Sequence, residues 1–333
     1  MIQAPLRLLY GGNPLASESK NSSLKSLNIF GDYLIMLVFP CALSVWYYGM
    51  PAVRTLAVTV VTGFICDFFG SILVYKKFYA ADLSSFCASI MIALMMPAGI
   101  PAYIPVLAAA FSVTVIKIPF GGGMQAPFVP AAAGFAFVAV CFKDEVFTYL
   151  PGREYMGGVS LGSTLMHGGA MRMNGSNILD ILTGNIAGPM GTGCIIVFAA
   201  CMIYLLVRRR EALLATAGFL GACIIFALVF PRSNGSRLAG MIMELSSGSL
   251  MFASVFLLTD YSALPAYRRD KLAYGIFCGI ICMAMRKLGA FEEPVCFAVL
   301  LANAFSPLLD ILTKRIMDFI APRKQRREVS PVE

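Results

Sequence analysis

The chain has 333 residues, of which 59% are hydrophobic and only 13% charged, with a formal net charge of +8 at pH 7. An average soluble domain is roughly a quarter charged, so this chain lacks the polar surface that a water-exposed fold of its length requires. Its excess basic residues sit at the ends of apolar runs, which points to a membrane surface and excludes a nucleic-acid partner.

The first 28 residues are polar, lack the apolar segment of a cleavable signal, and read as a cytoplasmic tail. Apolar blocks then follow at the length a hydrocarbon core of ~30 Å demands, ~20 helical residues. Spans are predicted at 29–50, 55–75, 83–98, 101–117 and 127–142. An outer loop covers 143–187, further spans follow at 188–207, 212–230, 238–259, 271–285 and 294–312, and a basic cytoplasmic tail fills 313–333. Several spans are short and hold Pro or Gly, which predicts broken helices or half-helices. The expected fold class is an all-α polytopic membrane protein with about ten transmembrane helices in two five-helix halves, 29–142 and 188–312. Two halves of five spans are necessarily inverted relative to each other. An internal echo supports the division, since Pro97 to Tyr103 reads PAGIPAY and Ser262 to Tyr267 reads SALPAY.

With the N-terminus inside, 18 of the 26 Lys and Arg fall on cytoplasmic segments, Arg208, Arg209, Arg210, Arg268, Arg269 and Lys271 among them. Eight fall outside: Arg54, Lys143, Arg153, Arg172, Arg232, Arg237, Arg286 and Lys287. That asymmetry is the positive-inside pattern. Four acids, Asp67, Glu244, Asp260 and Asp310, lie in or at the ends of apolar spans, where an ionised carboxylate is costly and faces a bundle interior. Glu244 and Asp67 are the ion-path candidates, with pairing to a nearby Lys or Arg the equal alternative; for Asp260 and Asp310 pairing is the leading reading. Ser246, Ser247, Gly248 and Ser249 follow Glu244 and are able to break its helix. The ten cysteines lie within or beside spans, without a CxxC pair, and His167 is the only histidine. Neither a disulfide framework nor a metal site is expected from that pattern.

The outer loop reads MGGVSLGSTLMHGGAMRMNGSNILDILTGNIAGPMGTG from Met156. It holds hydroxyls and glycines but no nucleophile beside a general base. Glycine permits close backbone approach to a planar or phosphorylated ligand, and a hydroxyl can bear a phosphoester; a flexible outer loop accounts for the same composition.

Leu161-Gly162-Ser163-Thr164-Leu165 resembles the SGAT(P)L flavinylation motif of the RnfD/NqrB family, membrane subunits of the Rnf electron-transport complex and of the sodium-pumping NADH:quinone reductase. Leu179 to Ile186 resembles the LxDLxxGNI segment of that family. Ser247-Gly248 through Thr259-Asp260 and Phe297 to Ala304 resemble its SGG…TDP and FAVLLMNA segments. The likeness covers most of the chain from about residue 80 onward. It implies that Thr164 carries FMN through a phosphoester bond placed by a separate flavin transferase. Gly162 belongs to the same motif and Ser163 is a competing acceptor. The motif departs from the family in Leu161, which replaces Ser, in Ser163, which replaces Ala, and in a missing proline. The family segment FGGLGxNxFNPA appears as Phe120 to Ala131, with Ala126 and Val129 replacing both asparagines. Gly121, Gly122 and Gly123 remain suited to close approach of a second, non-covalent flavin such as riboflavin, or of a quinone, and equally to a tight re-entrant turn.

The resemblance implies a membrane component of an Rnf-type ion-translocating complex, a ferredoxin:NAD oxidoreductase of the bacterial inner membrane, that transfers electrons without being catalytic alone. Its partners would be the other subunits of that redox complex, the flavin transferase and membrane lipid. Other readings stand beside it: a secondary transporter or channel with inverted repeats, a quinone-reductase-type or extracellular-electron-transfer flavin subunit, and a structural subunit whose flavin site has decayed.

Overall fold

A computed structural model describes residues 14–75, 83–122, 126–149, 160–167, 175–184, 186–232, 236–265, 267–289 and 292–320. Every regular element among them is helical. The first group is α1 (Pro14–Tyr48), α2 (Met50–Tyr75), α3 (Ser84–Met95), α4 (Tyr103–Phe111, continued by a π-helical turn over Ser112–Lys117) and α5 (Pro130–Cys141). Three short helices follow, α6 (Lys143–Val146), α7 (Leu161–Met166) and α8 (Gly175–Thr183). The second group is α9 (Ile195–Arg208), α10 (Leu213–Val229), α11 (Arg237–Ser246), α12 (Leu250–Val255), α13 (Arg268–Leu288) and α14 (Val295–Ile320).

Leu27–Tyr48, Met50–Val74 and Val295–Ile316 are each long and apolar enough to cross a membrane, and five shorter apolar helices accompany them. Large side chains such as Phe39, Trp46, Phe69, Leu73, Ile203 and Ile311 point outward from these helices. A water-soluble fold would bury such residues, whereas a lipid-facing surface has no reason to. The chain is an all-α polytopic membrane protein. Two spans differ from expectation. The first helix starts at Pro14, inside the segment read as a tail, because polarity reports what a residue faces and not whether it is helical; Pro at a helix start sets φ at no cost in hydrogen bonds. The predicted span 238–259 is split into α11 and α12 at Ser247–Ser249, where Gly248 has φ +60°.

The helix pairing repeats between the groups. In the first, α2 packs on α3 and α4, and α4 on α5; in the second, α10 packs on α11 and α13, and α13 on α14. Gly218, Gly275 and Gly279 bring α10 and α13 together so closely that a Cβ on Gly218 would meet Leu272 O at 2.6 Å and one on Gly279 would meet Phe219 O at 2.8 Å. The two groups join along α1 against α3 and α9, and α5 against α14. The Tyr33 hydroxyl donates to the Thr259 carbonyl across this seam, and the Tyr33 ring lies 6.4 Å from that of Phe256.

The echoed turns mark two ends of the bundle. Arg54, in the first turn of α2, donates to Ile100 O at 3.0 Å in the PAGIPAY turn. The SALPAY turn instead leads into α13, whose Arg268 reaches Glu211 before α10 at 3.1 Å. At roughly 1.5 Å per residue, the 26 residues of α2 separate its ends by roughly 39 Å. Lys117 pairs with Asp67 near the far end of α2, so the loop that follows Lys117 lies away from Arg54.

Candidate functional site

The motif residues form one short helix. Ser160 adopts an extended conformation (φ −69°, ψ 159°) and its hydroxyl accepts the Ser163 amide at 3.0 Å, the N-cap arrangement that satisfies an otherwise orphaned donor. Thr164 Oγ1 donates back to Ser160 O at 2.9 Å. Leu161, Gly162 and Leu165 are buried, while Ser163 and Thr164 are half-buried and Met166 and His167 exposed. Leu161 and Leu165 rest on Ile181 of α8, Ile186 and Met243 of α11 in a small apolar cluster distinct from the main core. The motif thus faces outward on a support of buried leucines. Tyr47 OH donates to Thr183 O at 3.1 Å, which ties α8 to the end of α1.

Two consecutive carboxylates of the α13–α14 connection close the site from the other side. Glu292 accepts from the Ser160 hydroxyl, and its Cγ lies 2.9 Å from where a Cβ on Gly162 would stand. Burial, followed by the neighbouring Glu293, pushes the Glu292 carboxyl up to about 7 against the bonds it receives from Ser160 and Ser163. Glu293, 2% exposed, takes Ser249 N at 2.9 Å and Ser249 Oγ at 2.6 Å, and lies against Gly248. The helix interruption therefore has an anion at the start of α12. It has a cation at the end of α11, because Arg286 donates to Glu244 O at 2.8 Å and Ser247 O at 3.0 Å. Both charges match the partial charges of the helix ends they touch.

The ion-path candidates are both paired. Glu244, 3% exposed, holds Arg232 in a two-pronged contact, with Nη2 to Oε2 at 2.6 Å, and Arg286 Nη1 at 3.3 Å. Asp67 holds Lys117 Nζ at 3.0 Å, and Lys117 also donates to Ser85 Oγ at 2.7 Å. Asp260 turns back onto Ser262, accepting its N–H and hydroxyl at 3.0 Å each, and neither it nor Asp310 forms an ion pair among the described residues. The expected pairing of these two acids with basic residues is not seen among the described residues; a local turn satisfies Asp260.

The structure brings Gly162, Ser163, Thr164 and the Glu244 network to one end of the bundle and leaves the glycine loop at the other. Gly121 and Gly122 follow the π-helical turn with φ of +95° and +112°, a conformation other residues adopt only with strain. Gly123 lies outside the described residues. Ala126 and Val129, the asparagine replacements, are buried. With the Asn303 amide oriented to satisfy its neighbours, Asn303 takes Val129 N at 3.1 Å and bonds Tyr274 OH at 2.6 Å. Glu292, Glu293 and Arg286 were not among the residues singled out in the sequence. Their signal was the adjacent pair of acids between two apolar spans, where two charges without a function would be out of place.

Comparison with known proteins agrees with this architecture. Residues 18–317 match the model of the NQR2, RnfD, RnfE family. The chain is 27% identical over 325 residues to the D subunit of the ion-translocating oxidoreductase complex of Ectopseudomonas mendocina, covering 90% of this chain and 94% of that one. It is 24% identical to the D subunit of the Na(+)-translocating ferredoxin:NAD(+) oxidoreductase complex of Acetobacterium woodii, over 86% of this chain and 89% of the relative. The D subunit of the proton-translocating ferredoxin:NAD(+) oxidoreductase complex of Clostridium ljungdahlii is 22% identical over 82% of this chain and 86% of its own. A match that takes in nearly all of the membrane-embedded core assigns the chain as a member of the NQR2, RnfD, RnfE family.

Proposed function

We propose that this protein is the D-type membrane subunit of an Rnf-type electron-transport complex in a bacterial inner membrane, and that Thr164 carries covalent FMN. The observation that supports this reading is the presentation of Thr164: a half-buried hydroxyl on a capped helix anchored by Leu161 and Leu165, with Met166 and His167 exposed beside it. The residues fit a phosphoester-linked flavin in that Thr164 is not fully buried and its neighbours Met166 and His167 are exposed. When bound, FMN supplies a carrier that takes up and releases electrons singly. The chain's own contribution is position: the Ser160 cap and the leucines fix the height of the attachment point. The Thr164 hydroxyl, which donates to Ser160 O, would attack the flavin phosphorus of a phosphoanhydride held by a transferase; the Oγ1–P bond forms as the anhydride P–O bond breaks, the nucleotide phosphate leaves, and the hydroxyl proton passes to a base of the transferase. Ser163 is the second accessible hydroxyl. Gly121 and Gly122, at the opposite end, are proposed to approach a second, non-covalent flavin or a quinone.

Flavin fluorescence of the denatured protein band after co-expression with a flavin transferase tests the attachment. Wild type and Ser163→Ala are expected to fluoresce and Thr164→Val to be dark. A dark wild type, beside a fluorescent control substrate of the same transferase, would remove the flavin reading and favour a transporter or a membrane component without flavin.

A further inference from the structure

We propose that Glu292 is a redox-linked proton acceptor, taking up one proton when the flavin on Thr164 is reduced by one electron; the proposal rests on the reading that Thr164 carries FMN. Three observations lead to it. First, Glu292 belongs structurally to α7 although it is remote in sequence: it accepts from Ser160 Oγ, it packs on Gly162, and the Ser163 N–H faces it. A carboxylate at the Ser160 cap is therefore one helical turn from the Thr164 attachment point.

Second, among the described residues no cation forms an ion pair with it. Arg286 is spent on Glu244 and the carbonyls of the α11 end, and Arg232 on Glu244 and Arg286 O. The other ionisable groups that face this corner are Glu293, whose carboxylate is held by Ser249, Tyr149 after α6, and His167 at the end of α7. Glu293 and Glu292 are thus two adjacent carboxylates that share the field of Arg286, whose hydrogen bonds go to Glu244 and Ser247 and not to Glu292.

Third, Glu292 lies in the connection between α13 and α14, partly exposed, so water can reach it. Its carboxyl, at about 7, is poised so that a modest change in local charge shifts its occupancy. A negative charge arriving on a flavin tethered at Thr164 disfavours the ionised carboxylate. The step balances: a one-electron carrier, an iron–sulfur protein or another flavin, gives its electron to the FMN, and a proton passes from the aqueous phase to Glu292. Both leave on reoxidation.

The test is a spectroelectrochemical titration of the flavin in the purified, flavin-loaded protein across about pH 6 to pH 8. It is run for wild type, Glu292→Gln and Glu292→Asp, all in a His167→Asn background so that the histidine contributes no proton. The expected result is a midpoint potential that falls more steeply with rising pH in wild type and Glu292→Asp than in Glu292→Gln, where only the protons taken up by the flavin ring remain. An unchanged pH slope in Glu292→Gln overturns the proposal while leaving the flavin attachment intact. Should Glu292→Gln not fold, the reduced-minus-oxidised infrared spectrum of the wild type decides. A carboxylic-acid C=O band that grows on reduction and shifts in deuterium oxide supports the assignment, and its absence overturns it. A wild type without flavin removes both this proposal and the one it rests on.

Discussion

Lys117 and Asp67 are each less than a tenth exposed, and their side chains are locked to each other and to Ser85. Removing one partner of such a pair strands the other charge in a low-dielectric interior, at a cost of about 3–5 kcal/mol, whereas removing both is far cheaper. Lys117→Met is therefore expected to lower thermal stability in detergent steeply, and Asp67→Asn combined with Lys117→Met to restore most of it. The same double variant separates the two readings of Asp67. Ion transport retained in the assembled complex makes the pair structural; transport lost while the fold stays stable makes Asp67 part of the ion path. Glu292 behaves in the opposite sense. Its folded carboxyl lies at about 7, above the ordinary 4.5, so the folded protein binds the proton more tightly than the unfolded one. Wild-type stability is expected to rise as pH falls from about 7 toward about 4.5, and Glu292→Gln to remove that rise in thermal unfolding followed by tryptophan or dye fluorescence.

Hydropathy made most of the helices legible, because a span must be apolar over a length the membrane dictates. The predicted spans 212–230 and 294–312 coincide closely with α10 and the apolar part of α14. The interruption after Glu244 was legible too, from three serines and a glycine in an apolar run, though not what stabilises it, since Arg286 and Glu293 are separated from it by some 40 residues. The extension of α1 to Pro14 was not legible, because a polar helical extension carries no hydropathy signal. Of the site, Thr164 and Ser163 were recognisable by motif and Glu292 was not: proximity across a fold leaves no mark in spacing. Close contact of α10 and α13 rests on Gly218, Gly275 and Gly279, small residues that let membrane helices approach. Gly275→Leu is expected to force them apart and cost about 1–3 kcal/mol, read as a lower melting temperature and an earlier-eluting, broadened peak in size-exclusion chromatography.

For the whole molecule, the repeated pairing places the PAGIPAY turn at the end that holds the motif helix and the SALPAY turn at the other, consistent with two halves running in opposite senses. We propose that the motif end faces outward and that both termini face the cytoplasm, as the positive-inside distribution of Lys and Arg requires. A fluorescent-protein fusion at the C-terminus is expected to be bright, and one inserted after Lys143 dark; the reverse pattern would invert the orientation and put Thr164 on the cytoplasmic side.

The interruption between α11 and α12 has a mechanical corollary. Its loose carbonyls and amides are gripped by Arg286 and Glu293, so opening it would expose two buried charges at once, and this part of the second half behaves as a rigid anchor. The first half is built otherwise. It contains a π-helical turn, and the hydroxyls of Ser89 and Ser112 are buried without a partner among the described residues. Any displacement of the bundle is therefore expected to carry the α11–α12 break along as one unit.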